Sequence, residues 1–541
     1  MVDKPLIIMP EDVQRMLGKD AQRNNIMAAK MVAEIVKTTL GPKGMDKMLV
    51  SPTNEITVTN DGVTILEEMQ IEHPAAKMMV DISKTQDTEV GDGTTTVVML
   101  AGKLLENAEK LLDKKIHPTI ITKGYRLAAE KAQEILEEIC LNIAPEDIEV
   151  LKQIAITAMT GKGAEDNKEK FADIVVRAVM QIKEGNAIDL SDIKIEKSKG
   201  DGVKDTELIE GIIIDKEKVS QDMPKIVNSA KIALIDFPLE LKNPEIETKI
   251  SISSPEQLHS FLNEEEKIIR EMVEKVKFSG ANVVFCQKGI DDFAQYLLSK
   301  EEIYACRRVA KSDMEKIAKA TSGKIVSNLS ELTPFELGNA QIVKEVKHGE
   351  DTFTHIKGCQ NPKALTILIH GSTKHVIDEI ERALKDGLGV VVATLKDGFV
   401  VPGGGAIEME LAKRLRDFAQ GLSGREQLAV EEFASALEYI PITLAENAGI
   451  DPIDVLTELR SRHDSGEKNA GLNLFTNKVE NVLEARIIEP LKIKTQAISS
   501  ATEVAIMILR IDDVIASNGS KSGSMRSTGM PNPYGGMQGL D

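Results

Sequence analysis

The sequence predicts a multidomain chain of mixed architecture, α-helical towards its two ends and α/β in the middle. Three observations carry that expectation. The chain has 541 residues, room for three or four domains at ~150 residues each. Residues 1–140 and the stretch from Glu408 to about Ala516 follow helical periods. Between them, short apolar runs alternate with helical stretches and glycine breaks, the texture of α/β units.

The elements follow in order. Asp20 is placed to cap a helix through Ile26, Ala29, Ala33 and Val36 towards Leu40. Gly41-Pro42-Lys43-Gly44 stops it. Ile56-Thr57-Val58-Thr59 alternates like a strand, with Asn60-Asp61-Gly62 as its turn. Residues 97–112 resume a helical period. Residues 145–220 mix helix with strand-like runs and breaks at Gly200 and Gly202. In residues 220–362, Ile232-Ala233-Leu234-Ile235 and Val283-Val284-Phe285 read as buried strands. Residues 364–369 are another, followed by a long helix from about Lys374. Residues 517–541 are rich in Gly, Ser, Met and Pro without any period, so a disordered tail is expected. No short-period repeat is present.

Composition narrows the function. Hydrophobic residues make up 42% of the chain and charged residues 28%, enough for large cores inside a polar surface. The formal charge of −19 argues against a general nucleic-acid binder, which needs a basic surface. No apolar run reaches the ~18 residues of a membrane span, and residues 1–10 lack a secretory signal pattern. The four cysteines are scattered without a Cys-x-x-Cys pair, which suits free thiols in a reducing cytoplasm. The histidines show no zinc-binding spacing. With no Trp and 3% aromatics, the cores must be built from Ile, Leu, Val, Ala and Met.

Gly91-Asp92-Gly93-Thr94-Thr95-Thr96 is the most informative segment. Its glycines let backbone approach a phosphate, and its threonines open a helix whose N-terminal N–H groups favour an anion. Asp92 would repel phosphate alone, but suits a site where it holds Mg²⁺. The same residues would also serve as a glycine turn with a threonine cap. Leu40-Gly41-Pro42-Lys43-Gly44 and Val401-Pro402-Gly403-Gly404-Gly405-Ala406 are two more glycine loops beside helices; a C-cap and a flexible joint are their plainer readings. No Gly-x-x-x-x-Gly-Lys-Ser/Thr motif occurs. Asp61 and Asp386 are ordinary turn and helix residues unless they converge on a phosphate, where one would handle an attacking water and the other support it. Lys162, in Thr160-Gly161-Lys162-Gly163, is a solvated loop lysine or a phosphate sensor.

These pieces occur together and in one order, joined by Thr59-Asn60-Asp61-Gly62, Val479-Glu480, Ile488-Glu489-Pro490-Leu491, Lys494-Thr495-Gln496-Ala497 and Arg510-Ile511-Asp512-Asp513. The set closely resembles the group II chaperonins, the archaeal thermosome subunits, across nearly the whole chain from about Met9 to Ala516. The resemblance implies a chaperonin fold in nested order. Residues 1–145 and 403–516 would form a mostly helical equatorial domain, with 517–541 as a flexible tail. Residues 146–216 and 367–402 would form a small α/β intermediate hinge domain. Residues 217–366 would form an α/β apical domain with a helical protrusion.

The resemblance also implies an ATP-driven chaperone that encloses unfolded protein in a ring chamber. By matching motifs, Leu40, Gly41, Pro42, Gly93, Thr94, Thr95 and Thr96 would surround the phosphates, and Asp92 would bind Mg²⁺. Thr160, Gly161 and Lys162 would face the γ-phosphate, Gly404 and Glu489 the adenosine, and Asp61 and Asp386 the attacking water. Stacked double rings, eight subunits in each, are the family expectation, with a built-in lid in residues 243–278 instead of a separate lid protein. Within that segment, Leu258, Phe261, Leu262, Ile268, Ile269, Met272, Val273 and Val276 fall on helical spacing. The chain departs from the family at Gly387, where Ala is more usual, at Ala158, where Ser or Thr is common, at Phe237-Pro238, and in a tail with a single Gly-Gly-Met unit. The competing reading is a holdase or scaffold without coupled hydrolysis, which leaves Asp61, Asp92 and Asp386 without a purpose. A small-molecule kinase would need a second polar constellation, and none is evident.

Overall fold

The computed structural model describes residues 13–517, apart from 145–146, 164, 186, 201, 242–254, 349–350 and 361. The proposed tail from residue 518 and the first part of the proposed protrusion lie outside the described residues.

The two ends of the chain build one helical core. The helix Thr94–Asp113 runs through its centre, with Val97, Val98, Met99, Leu100, Ala101, Leu104, Leu105 and Ala108 all buried. Gly102 lets it cross the helix Gly18–Lys37 closely, since a Cβ there would sit 2.4 Å from Ala33 Cβ. From the other end of the sequence, Glu426–Leu437 and Leu491–Leu509 pack into the same cluster. Tyr125 meets Phe433 edge-on at 5.6 Å and donates its hydroxyl to the Leu104 carbonyl at 2.7 Å, so the buried phenol is satisfied. The strands Val13–Leu17 and Asp513–Ser517 pair antiparallel and tie the two ends together.

The central segment carries a seven-stranded mixed sheet, with the strand order Tyr304–Cys306, Val283–Cys286, Ile226–Ile235, Gly338–His348, Asp351–Lys357 and Gly211–Ile214; Ile325–Val326 adds to the end of Ile226–Ile235. In Ile226–Ile235, Ile232 and Leu234 enter one apolar cluster while Ala233 and Ile235 enter another. Both faces are therefore covered, which is why the run reads as continuously apolar and not alternating. Gly211–Ile214, which lies before the expected boundary at 216, pairs with Asp351–Lys357 in this sheet. The helix Pro255–Phe278 buries Ile269, Val273 and Val276 against it and leaves Phe261, Leu262 and Ile268 exposed. The side chain of Leu258 lies outside the described residues.

Between these two parts, the strands Ile193–Lys199, Leu365–Gly371 and Glu207–Ile209 form a small sheet. Leu365, Ile367 and Ile369 share an apolar cluster with residues of the helices Ile148–Met159, Lys168–Ile182 and Lys374–Asp397. Leu368 faces the other way, onto Ile209, Ile213 and Phe353. The strands Phe399–Pro402, Ile488–Pro490 and Leu141–Asn142 make a further sheet where the chain passes into and out of the helical core.

Several local expectations change. The first helix begins at Gly18, so Asp20 lies in its first turn and is not its cap. Asn60-Asp61-Gly62 does not turn a hairpin. Asp61 caps the short helix Gly62–Glu68, and the strand at residues 56–59 pairs back onto Lys47–Val50 instead. The helix that the threonines were expected to open does begin at Thr94, directly after Gly93. The helix-rich C-terminal block is interrupted by a hairpin, Ala470–Asn473 with Lys478–Asn481. All four cysteines are free, three of them buried and Cys140 half-buried. Among the described residues no helix is long and apolar enough to cross a membrane.

Candidate functional site

Four loops and one hairpin surround a cavity of about 300 Å³. The first loop follows the helix Pro74–Val90, which ends at Gly91 with φ 81° and its N–H bonded to the Asp87 carbonyl at 2.8 Å. Gly93, at φ 82°, then leads into Thr94–Asp113 without any side-chain cap, so the first-turn N–H groups remain free to bind an anion. Gln86 braces this loop by donating to the carbonyls of Asp92 at 2.9 Å and Ile493 at 3.3 Å.

The second loop, Leu40-Gly41-Pro42, follows the helix Gly18–Lys37. Asn447 donates to the carbonyls of Lys37 at 3.0 Å and Leu40 at 2.9 Å, satisfying groups the helix end leaves open. The third loop, Thr160-Gly161-Lys162, presses on the second: a Cβ at Gly161 would lie 2.5 Å from Pro42 Cα. Asn60 donates to the Gly161 carbonyl at 2.7 Å, and the Gly161 N–H donates to Glu165 at 2.8 Å. The fourth loop holds Gly404 and Gly405 before the helix Ala406–Gln420, with the backbone of Gly404 against Leu472.

Asp61, Asp92, Leu40, Gly41, Pro42, Gly93, Thr94, Thr95, Thr96, Thr160, Gly161, Lys162, Gly404 and Glu489 all line this cavity. Asp386 does not. It lines a wider polar crevice of about 910 Å³ on the other side, and Asp61 lines both. The Lys162 ammonium spans the two spaces, bonded to Asp386 Oδ2 and 3.6 Å from Asp92 Oδ1. With its side chain 17% exposed and paired, Lys162 is not a solvated loop lysine. Asp61 accepts from Thr64 N at 3.1 Å and Thr64 Oγ1 at 2.6 Å, and its other oxygen accepts from Thr94 Oγ1 at 3.3 Å.

Two carboxylates thus share one ammonium, and Asp61 adds its charge from farther off. Burial works against charge on Lys162, yet Asp386, Asp92 and Asp61 outweigh it and hold the ammonium protonated. At Asp386, burial and the charges of Asp61 and Asp92 push the carboxyl well above its usual range, while Lys162 pulls it back only in part. Burial likewise raises Asp87, which faces the same crevice. Glu489 is raised by burial against the pull of Lys494, with Glu408 and Asp92 adding to the rise.

Sequence reasoning missed the far end of the cavity. Ile440, Leu444, Leu472, Leu474, Phe475, Ala485 and Ile487 give it an apolar wall, and Asn473 and Arg486 sit among them. Only the fragment Val479-Glu480 pointed to this hairpin. Lys494, also at the cavity, stood in a quoted motif without a role, and Asn60 beside Asp61 was read only as a turn residue. Lys168 caps the mouth, 4.9 Å from the Phe475 ring. Ala158 lines the cavity as well, with Thr157 beside it supplying a hydroxyl.

Helix N-termini with free N–H groups, an apolar slot behind them and a lysine joining two carboxylates from distant parts of the chain define a nucleotide-binding machine built from several domains. The chain belongs to the TCP-1/cpn60 chaperonin family, whose profile it matches over residues 32–518. It is 58% identical over 517 residues to a thermosome subunit of Methanopyrus kandleri, covering 95% of each chain. It is 55% identical over 534 residues to the thermosome subunit beta of Archaeoglobus fulgidus, covering 98% of each. Among solved structures it resembles an open-state monomer of a group II chaperonin from Methanococcoides burtonii, with a TM-score of 0.58 and 50% identity over 78% of this chain and 100% of that one. As a member of this family the chain is an ATP-dependent chaperone, and its enzymatic activity is that of a chaperonin ATPase.

Proposed function

We propose that the cavity binds ATP as its Mg²⁺ complex and that hydrolysis there drives rotation of the rest of the subunit. The observation that carries this reading is the Lys162 ammonium, which links Asp92 of the glycine–threonine loop to Asp386 of a helix nearly three hundred residues later in the chain. Gly41, Gly93, Thr94, Thr95 and Thr96 contact the phosphates, with Leu40 and Pro42 as the adjoining wall. Gly404 and Glu489 lie towards the adenosine. Thr160, Gly161 and Lys162 read the γ-phosphate.

Asp92 is the residue that would hold Mg²⁺. Among the described residues no cluster of three or more His, Cys, Asp or Glu is suited to a metal. The single carboxylate of Asp92 at the cavity suits Mg²⁺, which binds through one or two carboxylates together with substrate phosphates. When bound, the ion held by Asp92 would neutralise phosphate charge. Asp386, held beside the cavity by the Lys162 ammonium, accepts the proton of the attacking water, and Asp61 orients that water from the wall shared by the two spaces.

The nested arrangement supplies the moving parts: an equatorial domain of 1–145 and 403–516, an intermediate domain of 146–216 and 367–402, and an apical domain of 217–366. The subunits assemble in the cytoplasm as two stacked rings of eight, enclosing unfolded protein without a separate lid protein. The exposed Phe261, Leu262 and Ile268 of the helix Pro255–Phe278 support a built-in lid. The test is Asp386→Ala. Turnover is expected to fall at least about a hundredfold while nucleotide affinity persists; unchanged turnover would remove Asp386 from the chemistry.

A further inference from the structure

Beside the phosphate loop lies a buried charge cluster of which the proposed function uses only Glu489. Lys494, in the first turn of the helix Leu491–Leu509, reaches Glu489 Oε2 at 2.6 Å and Glu408 Oε1 at 2.8 Å. The side chains of Lys494 and Glu408 are 8% and 5% exposed. Taking two carboxylates and one ammonium out of water is costly, and apolar side chains filling the same space are often as stable or more so. Glu408 forms no other bond among the described residues, since its Oε2 is buried without a partner. Its one contact of consequence is to Lys494, so its effect is to anchor that lysine.

Position indicates which part of a nucleotide the cluster serves. The apolar wall of Ile440, Leu472, Leu474 and Phe475 suits a base, and the loop Asp92-Gly93-Thr94 suits phosphates. Glu489 sits between them. Its strand pairs with Val401, its Oε1 would lie 2.6 Å from a Cβ on Gly403, and it feels the charge of Asp92. A base and phosphates so placed leave the sugar beside Glu489. A carboxylate only accepts hydrogen bonds, and with Oε2 held by Lys494 it has Oε1 left for a hydroxyl.

We propose that Lys494, anchored by Glu408, is a positioning residue that fixes Glu489 against the sugar hydroxyls, and that this cluster selects ribonucleoside over 2′-deoxyribonucleoside triphosphates. The proposal rests on the nucleotide reading of the cavity. It is tested on assembled protein by kcat and KM for ATP and for 2′-deoxyATP.

Wild type is expected to show a KM about tenfold or more lower for ATP, the size of a lost hydrogen bond to a charged group. The charge-balanced variant Lys494→Met with Glu408→Gln is expected to bring that ratio near unity by raising the KM for ATP, with kcat changing far less. Lys494→Arg should restore it. A wild-type ratio near unity, or a folded double variant that keeps the wild-type ratio, overturns the proposal. Should the double variant fail to assemble, Glu408→Gln alone is expected to lower the ratio, and an unchanged ratio there overturns the anchoring. Glu489→Gln separates the two levels. If it moves neither KM, the placement of the sugar falls; if it abolishes the ratio while the Lys494 variants do not, only the positioning role falls.

Discussion

Gly387 and Gly389 lie two residues apart in the helix Lys374–Asp397, and alanine at each is expected to act in opposite directions. A Cβ on Gly387 would sit 3.4 Å from Met159 Sδ and 3.5 Å from Met159 Cγ and Val175 Cγ2, ordinary contact with two apolar side chains. Gly387→Ala therefore gains about 1 kcal/mol of helix propensity and up to about 0.8 kcal/mol from burying a methyl group. A Cβ on Gly389 would sit 2.7 Å from the Val90 carbonyl oxygen and 3.0 Å from Gly91 Cα. Those are backbone atoms, and Gly91 is fixed at φ 81° as a helix cap. Overpacking of this kind costs about 1–3 kcal/mol, enough to cancel or exceed the same propensity gain.

Because a multidomain ring does not unfold in one step, the assay is native-state hydrogen exchange of the amides in this helix. A gain of 1–2 kcal/mol in Gly387→Ala slows exchange about 5–30-fold. Gly389→Ala should exchange faster, and its ATP turnover should fall as the helix carrying Asp386 is pushed off the phosphate loop. Faster or unchanged exchange in Gly387→Ala would refute the reasoning, as would full protection together with normal turnover in Gly389→Ala.

The remaining predictions test the loops and the electrostatics. Lys162→Met leaves Asp61, Asp92 and Asp386 without their shared counter-charge, so steady-state ATP turnover should drop about a hundredfold; a loss under threefold would show that the lysine is structural. Gly161→Ala sets a Cβ 2.5 Å from Pro42 Cα at φ 80°. The KM for ATP should rise about 5–30-fold, the equivalent of 1–2 kcal/mol of strain, and a normal KM would mean that the two loops need not touch. Glu438, its side chain 3% exposed, accepts from Arg416 at 2.7 and 2.5 Å and from Arg460 at 2.8 and 2.6 Å. Burial works against its charge, but the two guanidinium groups win and hold the carboxyl below its usual 4.5. Its contribution is therefore present above that value and lost as pH falls through the depressed one. Glu438→Gln should cost about 3 kcal/mol near neutral pH, and the gap in native-state hydrogen-exchange protection of the adjoining helices between variant and wild type should narrow in acid. A gap independent of pH would contradict the assignment.

What the sequence revealed of the site follows from what backbone chemistry demands locally. Gly91, Gly93 and Gly41 are needed at positive φ beside helix ends, and that need shows as glycine in a short motif. Asp61, Asp92 and Asp386 were recognisable only as members of an ordered set, because a lone carboxylate in a turn or helix has no local signature. The apolar end of the cavity left almost no trace. Leu472, Leu474 and Phe475 belong to a four-residue strand and its turn, too short for a period to emerge, and what makes them a binding wall is tertiary contact with Ile440 and Leu444. Lys494 was hidden differently. In sequence it is one helix residue among many, and its burial between Glu408 and Glu489 depends on two other segments arriving at the same place. Asp20 was misplaced as a cap because helix starts fray by a residue or two and Gly18 precedes it.

The proposed rotation has a natural pivot and a natural latch, and they differ in chemistry. The chain passes between the helical core and the hinge region at the sheet of Leu141–Asn142, Phe399–Pro402 and Ile488–Pro490, where Val400, Ile488 and Ile493 share an apolar cluster with Leu151 and Leu388. Apolar contact is not directional, so such a cluster can turn while staying buried. Away from it the two parts also meet through polar pairs. The pair Lys374–Glu55, at 3.1 Å, is 61% and 65% exposed, and pairs of that kind contribute on the order of 1 kcal/mol or less. The buried exception is Lys162 with Asp386 and Asp92, set where a γ-phosphate would lie. A phosphate at that point competes for the lysine and supplies a new anion for it. The strength of the latch therefore depends on the nucleotide state, whereas the pivot does not.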